Sequence, residues 1–159
     1  MKEPTGLLRT DNKRPDGLTR IPWQRGKPVT WDVTVTATLA DSYLADSAQL
    51  AGAAAELAAT RKIAKYSTLP ASNSFQPIAL ETHGPINQTA VEFLTDLGHR
   101  ISSVTGEERE KQFLFQRIAV ALQRCAITQC YFTTALMCTL RTTWTSSHFW
   151  TVFNIFLCF

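Results

Sequence analysis

The clearest pattern in the chain is the alternation of Val29, Trp31, Val33 and Val35 with Thr30, Asp32, Thr34 and Thr36. Strict period-two alternation in β-branched residues predicts a strand from Val29 to about Thr38. Asp32 is out of character there. Aspartate side chains bond local backbone and solvent and are depleted from strand interiors. Its position implies either a wet strand face or a site.

The neighbouring segments build outward from this strand. Arg14-Pro15-Asp16-Gly17 reads as a turn, with proline fixing φ and glycine accepting a positive φ. Leu18 to Trp23 reads as a short strand stopped by Pro22, and Gln24 to Pro28 as the hairpin turn leading into the main strand. The two arms should pair antiparallel. From about Ala48 to Tyr66 the composition is helical, with eight alanines, Asp46 or Ser47 as N-cap, and Lys62 and Lys65 toward the end. Gly52 inside it implies close packing or a tolerated glycine.

A third strand is predicted over Phe75–Thr82, closed by His83-Gly84-Pro85. Asn87 then caps a helix running to about Val104. Thr105-Gly106 breaks it, and a last helix spans Glu107 to Arg124 with acids first and arginines last. The order β-β-α-β-α-α places a helical crossover between the second and third strands. The fold class expected is therefore α/β: a small mixed β-sheet with a β-β-α-β core, flanked by helices.

Charge divides the chain. All thirteen acidic residues and fifteen of the sixteen Lys and Arg precede residue 125, whereas all four cysteines (Cys125, Cys130, Cys138, Cys158) follow Arg124. The domains expected are a flexible lead-in at 1–13, a folded domain at 14–124 and a divergent apolar tail at 125–159, of the kind that read-through or a frame change produces. The cysteine spacings match no zinc pattern and read as free thiols. No apolar run follows Met1-Lys2-Glu3-Pro4, so no secretory signal is expected and the location implied is intracellular, nuclear or cytoplasmic. The apolar run 149–159 has eleven residues against the roughly 20 of a bilayer span. A membrane partner is not expected, and membrane association through 149–159 is the alternative. The net charge of +3 permits nucleic-acid binding without arguing for it.

The candidate chemistry lies in 14–81. Asp16 and Asp32 stand on the two hairpin arms, Glu81 late in the third strand, and Lys65 at the end of the alanine-rich helix. Carboxylates with a lysine at a sheet edge are the minimum for metal-dependent phosphodiester cleavage. Carboxylate oxygens hold Mg²⁺, the metal acidifies a bound water, and a lysine orients the nucleophile or stabilises developing charge. Each residue also has an ordinary structural reading: Asp16 as a turn residue, Asp32 as a solvated strand residue, Lys65 as a helix-dipole partner and Glu81 as a surface acid.

Arg-Pro-Asp (14–16), Trp-Asp-Val-Thr-Val (31–35), Ala-Ala-Glu through Lys-Tyr (54–66) and Phe-Gln-Pro-Ile-Ala-Leu-Glu-Thr-His-Gly (75–84) together resemble the PD-(D/E)XK nuclease superfamily. They are similar in particular to endonuclease-like segments downstream of reverse transcriptases in animal retroelement-derived proteins. The likeness covers about 13–124 and none of the tail. It implies a restriction-endonuclease-like fold, truncated at its N-terminal side, with Mg²⁺ or another divalent cation as cofactor. Asp16 and Asp32 would be the metal ligands, and Asp16, Asp32, Lys65 and Glu81 the catalytic set. Arg14, Arg61 and Lys62 would contact phosphates. DNA, or RNA, would be the partner, and a homodimer is compatible. The family places a lysine two residues after the second acid, where this chain has Thr34. In some branches the following helix supplies it, which points to Lys65 first and Lys62 second. The function implied is a metal-dependent endonuclease-like domain acting on DNA; the alternatives are a non-catalytic nucleic-acid-binding module and a truncated retroelement relic.

Overall fold

A computed structural model describes the backbone of residues 15–19 and 22–135 and side chains as far as residue 124. Its described part is a mixed α/β fold with a three-stranded sheet and four helices. The elements are β1 (Gly17–Leu18), β2 (Val29–Thr36), α1 (Asp41–Ser47), α2 (Ala53–Lys65), β3 (Ser74–Glu81), α3 (Gln88–Thr105) and α4 (Glu110–Ala135). The chain divides into two compact units, Met1–Phe93 and Leu94–Phe159, with the division inside α3.

In the first unit the sheet order is β1-β2-β3, with β1 antiparallel and β3 parallel to β2. The expected crossover is present, because parallel neighbours require a connection that returns the chain to the same end of the sheet. β1 and β2 are joined through a turn in which Arg25 (φ 51°) and Gly26 (φ 73°) are both left-handed and Lys27 N–H donates to the Gln24 carbonyl. Two successive positive φ values mark the tight hairpin turn that matches strand twist. Gly17 plays a different part from the one expected. It lies in β1 opposite Trp31, outside the left-handed region, and the indole occupies the space a Cβ would need.

The alternation in β2 holds, but its burial is not the simple one. Thr30, Asp32 and Thr36 are buried, while Val33 and Val35 are half-exposed. The threonine face is covered by α2, whose Ala55, Ala58 and Ala59 form a buried cluster with Ala79 of β3. Alanine keeps the helix close to the sheet and gives up no side-chain entropy. On the opposite face Val29, Trp31, Ile78 and Leu80 are buried.

The helix expected from Ala48 begins only at Ala53, and a separate short helix precedes it. The cap-type residues 41–47 form α1, and Gly52, at φ 92°, is the residue before α2. That left-handed conformation is the reason for a glycine there. Asn87 precedes α3 as expected, yet its side-chain oxygen accepts from Ala79 N–H at 2.8 Å, tying the chain after β3 to the outer edge of that strand. Pro77, lacking an N–H, lies on the same edge strand, where a missing donor is tolerated.

In the second unit α3 and α4 approach closely: a Cβ on Gly98 would lie 2.8 Å from Lys111 Cα. Leu94, Leu97, Leu114, Ile118 and Leu122 are buried. The last helix begins at Glu110, three residues later than expected, and continues past Arg124 to Ala135. Among the described residues no helix is long and apolar enough to cross a membrane. The expected lead-in 1–13, Arg14 and the apolar run 149–159 lie outside the described residues, as do the side chains of the four cysteines.

Candidate active site

The register of β1 on β2 pairs Gly17 with Trp31 and Leu18 with Thr30. One step further along the same register stands Asp16, across from Asp32. Its carboxylate Oδ2 accepts from the Val33 backbone N–H at 2.7 Å. Asp16 therefore extends the ladder with its side chain where β1 ends. Asp16 is thereby tied to the backbone of β2 at the residue after Asp32.

Asp32 is 4 % exposed, which removes the reading as a solvated strand residue. Its carboxylate is held by two residues of the α2 C-terminal end. Oδ1 accepts from the Tyr66 hydroxyl at 2.9 Å. Oδ2 pairs with the Lys62 ammonium and, among the described residues, accepts no hydrogen bond. A buried carboxylate needs such compensation, because desolvating an unpaired charge is costly.

The position of these partners follows from the helix period. Ala55, Ala58, Ala59, Lys62 and Tyr66 recur at spacings of three and four, and so share one face. The N-terminal part of that stripe is alanine and packs on the sheet. Its C-terminal part carries an amine and a phenol that reach Asp32. Tyr66 is 2 % exposed, and its ring lies 4.8 Å from that of Phe75, at the start of β3.

Lys65 is not on this stripe. It is exposed, with its ammonium 4.9 Å from the centre of the Tyr66 ring. The lysine placed on Asp32 is thus Lys62, which the sequence ranked second and otherwise assigned to phosphate contacts. Thr34, two residues along the same strand face, is half-buried.

Glu81 is held at the other end of α2. It is 1 % exposed, and Oε1 accepts from Ala55 N–H at 3.2 Å, in the first turn of the helix. Gly52 offers no side chain to cap that turn, so β3 supplies the carboxylate instead. In the parallel register Glu81 faces Thr36 and Pro77 faces Asp32. Four residues of strand, about 13 Å, separate the two positions. Glu81 is therefore apart from Asp32 and anchors the helix whose far end holds the site.

Arg61 is exposed. It donates from Nη1 to the Tyr43 hydroxyl at 2.8 Å, and its guanidinium lies 5.2 Å from the centre of that ring. His83 and His99 are exposed. Among the described residues no group of three or more His, Cys, Asp or Glu side chains is placed to hold a metal ion. The donor chemistry present is two carboxylates, Asp32 on β2 and Asp16 in the bend just before β1. That set suits a hard cation such as Mg²⁺, which keeps several waters and takes one or two protein carboxylates.

Tyr66 is the residue the sequence reading left without a role. Its signal was present: a tyrosine four residues after Lys62, continuing an alanine stripe. No family model, curated protein or solved structure matches this chain.

Proposed function

We propose that the first unit carries a restriction-endonuclease-like core of the PD-(D/E)XK type, a divalent-metal-dependent phosphodiesterase acting on DNA. The observation that carries this reading is the Lys62 ammonium on Asp32, with the Asp16 carboxylate on the adjoining Val33 amide. An antiparallel pair carrying two acids, a crossover helix and a parallel third strand is the arrangement the resemblance implies. Lys62 answers the absence of a lysine at position 34: the helix supplies from above the strand what the strand itself lacks.

In this reading Asp16 and Asp32 would hold Mg²⁺, which would supply an acidified water and charge neutralisation at the phosphate. Lys62, held on Asp32, would orient that water and stabilise negative charge on the phosphoryl oxygens. Water oxygen bonds to phosphorus, the bond from phosphorus to the leaving oxygen breaks, and that oxygen takes up a proton. Tyr66 keeps the Asp32 carboxylate in place. The origin proposed is a retroelement, on the likeness of residues 13–124 to segments that accompany reverse transcriptases.

The test is nicking of supercoiled plasmid by the full chain with Mg²⁺ or Mn²⁺, with and without chelator. Asp32→Asn and Lys62→Met should each abolish it. Nicking that survives both substitutions would remove the assignment. Salt-dependent DNA binding without nicking would instead leave a binding module on the same fold.

A further inference from the structure

Asp32 Oδ2 is closed. Less than 1 Å² of it is accessible, and its ion-pair partner is Lys62. The other oxygen is committed to the Tyr66 hydroxyl. A cation that binds Asp32 through Oδ2 must therefore take the place of the Lys62 ammonium, and one that binds through Oδ1 must share that oxygen with the Tyr66 hydroxyl. The two groups differ in freedom. Tyr66 is buried at the C-terminal end of α2, its ring tilted against that of Phe75. The Lys62 side chain is 23 % exposed and ends a flexible four-carbon stem.

We infer that Lys62 and the divalent cation compete for Asp32 Oδ2, so that the lysine closes the carboxylate until the metal displaces its ammonium. This rests on the phosphodiesterase reading above. It adds that Lys62 sets the cation concentration at which the site fills. Tyr66 is the fixed side of the device: its bond to Oδ1 keeps the carboxylate aimed while Oδ2 changes partner. The displaced ammonium stays near the site on its helix and becomes available to the phosphate. The exchange replaces one positive partner of a buried carboxylate with another, so Asp32 is never left uncompensated.

Mn²⁺ binding to the full chain, followed by the electron paramagnetic resonance of free Mn²⁺, tests this without requiring turnover. Lys62→Met should bind Mn²⁺ about tenfold tighter or more, a factor worth ~1.4 kcal/mol. Lys65→Met removes the same charge three residues away and should change binding by less than about threefold, since solvent and salt screen an exposed charge. Asp32→Asn should lose the binding. Equal or weaker binding by Lys62→Met overturns the inference, and so does an equal gain in Lys65→Met, which would reflect charge alone.

A second measurement needs no substitution and covers the case in which Lys62→Met fails to fold. Lysine-selective NMR during a Mg²⁺ titration of the parent chain should show the Lys62 ε-methylene shifting along the metal-binding curve. A Lys62 signal that stays still while metal binds overturns the inference. If the parent nicks plasmid and Asp32→Asn does not, either failure leaves the phosphodiesterase reading intact. If no variant binds a divalent cation, both fall.

Discussion

Gly17 lies under the indole of Trp31, its register partner across β1 and β2. A Cβ built on Gly17 would come within 2.1 Å of Trp31 Cζ2, a separation side chains do not adopt. The glycine is there for the ring. Trp31 is buried, and the ring cannot leave without opening the face it fills.

Gly17→Ala should therefore overpack the hairpin. The expected cost is about 1–3 kcal/mol, the usual range for forcing a methyl group into a filled site. Urea unfolding should show a lower midpoint at an unchanged slope. A variant as stable as the parent would mean that the indole packs elsewhere.

Glu81 and Asp32 are both buried acids on strands under one helix, yet they serve its opposite ends. Glu81→Ala should lower stability by about 1–2 kcal/mol through loss of the α2 cap. Glu81→Gln, which retains an acceptor for Ala55 N–H, should recover part of that. Neither substitution should weaken Mn²⁺ binding measured below the unfolding transition. Loss of metal binding in folded Glu81→Gln would put Glu81 back in the site.

How far these roles were legible in the sequence depended on the range of the interaction that sets them. The alternation of β2, the hairpin turn and the third strand follow from local periodicity and turn chemistry, and they are where the pattern puts them. The bond of Asp16 to the Val33 amide follows from the hairpin pairing alone. The non-helical stretch 48–52 was harder to read, because the alanine-rich sequence around it favours helix and only Gly52, at a left-handed φ, is a residue suited to breaking one. Lys62 was partly legible. Ala55, Ala58 and Ala59 define a sheet-facing stripe, and extending it selects Lys62 and Tyr66 over Lys65. The cap by Glu81 was not legible, since it depends on the crossover bringing the start of α2 onto the end of β3. Asn87 misled for the same reason: a strand edge competes for its side-chain oxygen.

Glu107 and Arg109 at the approach to α4 give a pH prediction. Glu107 Oε1 accepts from Arg109 Nε at 3.0 Å and from its backbone N–H at 3.1 Å, and Oε2 accepts from Nη2 at 3.2 Å. The Arg109 side-chain hydrogen bonds, with its backbone N–H and charge, hold the Glu107 carboxyl below its ordinary value, and the carboxylate raises the guanidinium in return. A carboxyl lowered in the folded state adds stability that is present above its unfolded pKa and is lost as pH falls through the folded one. Both groups are on the surface, so the effect on global stability is small. NMR titration should find Glu107 below the ordinary glutamate range. Arg109→Gln should return it upward. A Glu107 resonance that titrates identically in both proteins would dissociate the pair in solution.

Tyr66 and Asp32 give the sharpest separation of packing from polarity. Tyr66→Phe keeps the ring against Phe75 and removes only the hydroxyl that donates to Oδ1. A buried carboxylate oxygen then loses its donor, which costs about 1–3 kcal/mol. The same substitution made on Asp32→Ala has no carboxylate to leave unsatisfied, so its cost there should nearly vanish. The cycle should therefore report a coupling within the roughly 0.5–3 kcal/mol found for residues in direct contact. Additive costs would mean that the hydroxyl acts through packing at the end of α2, and the carboxylate would then have no fixed side against which Lys62 exchanges.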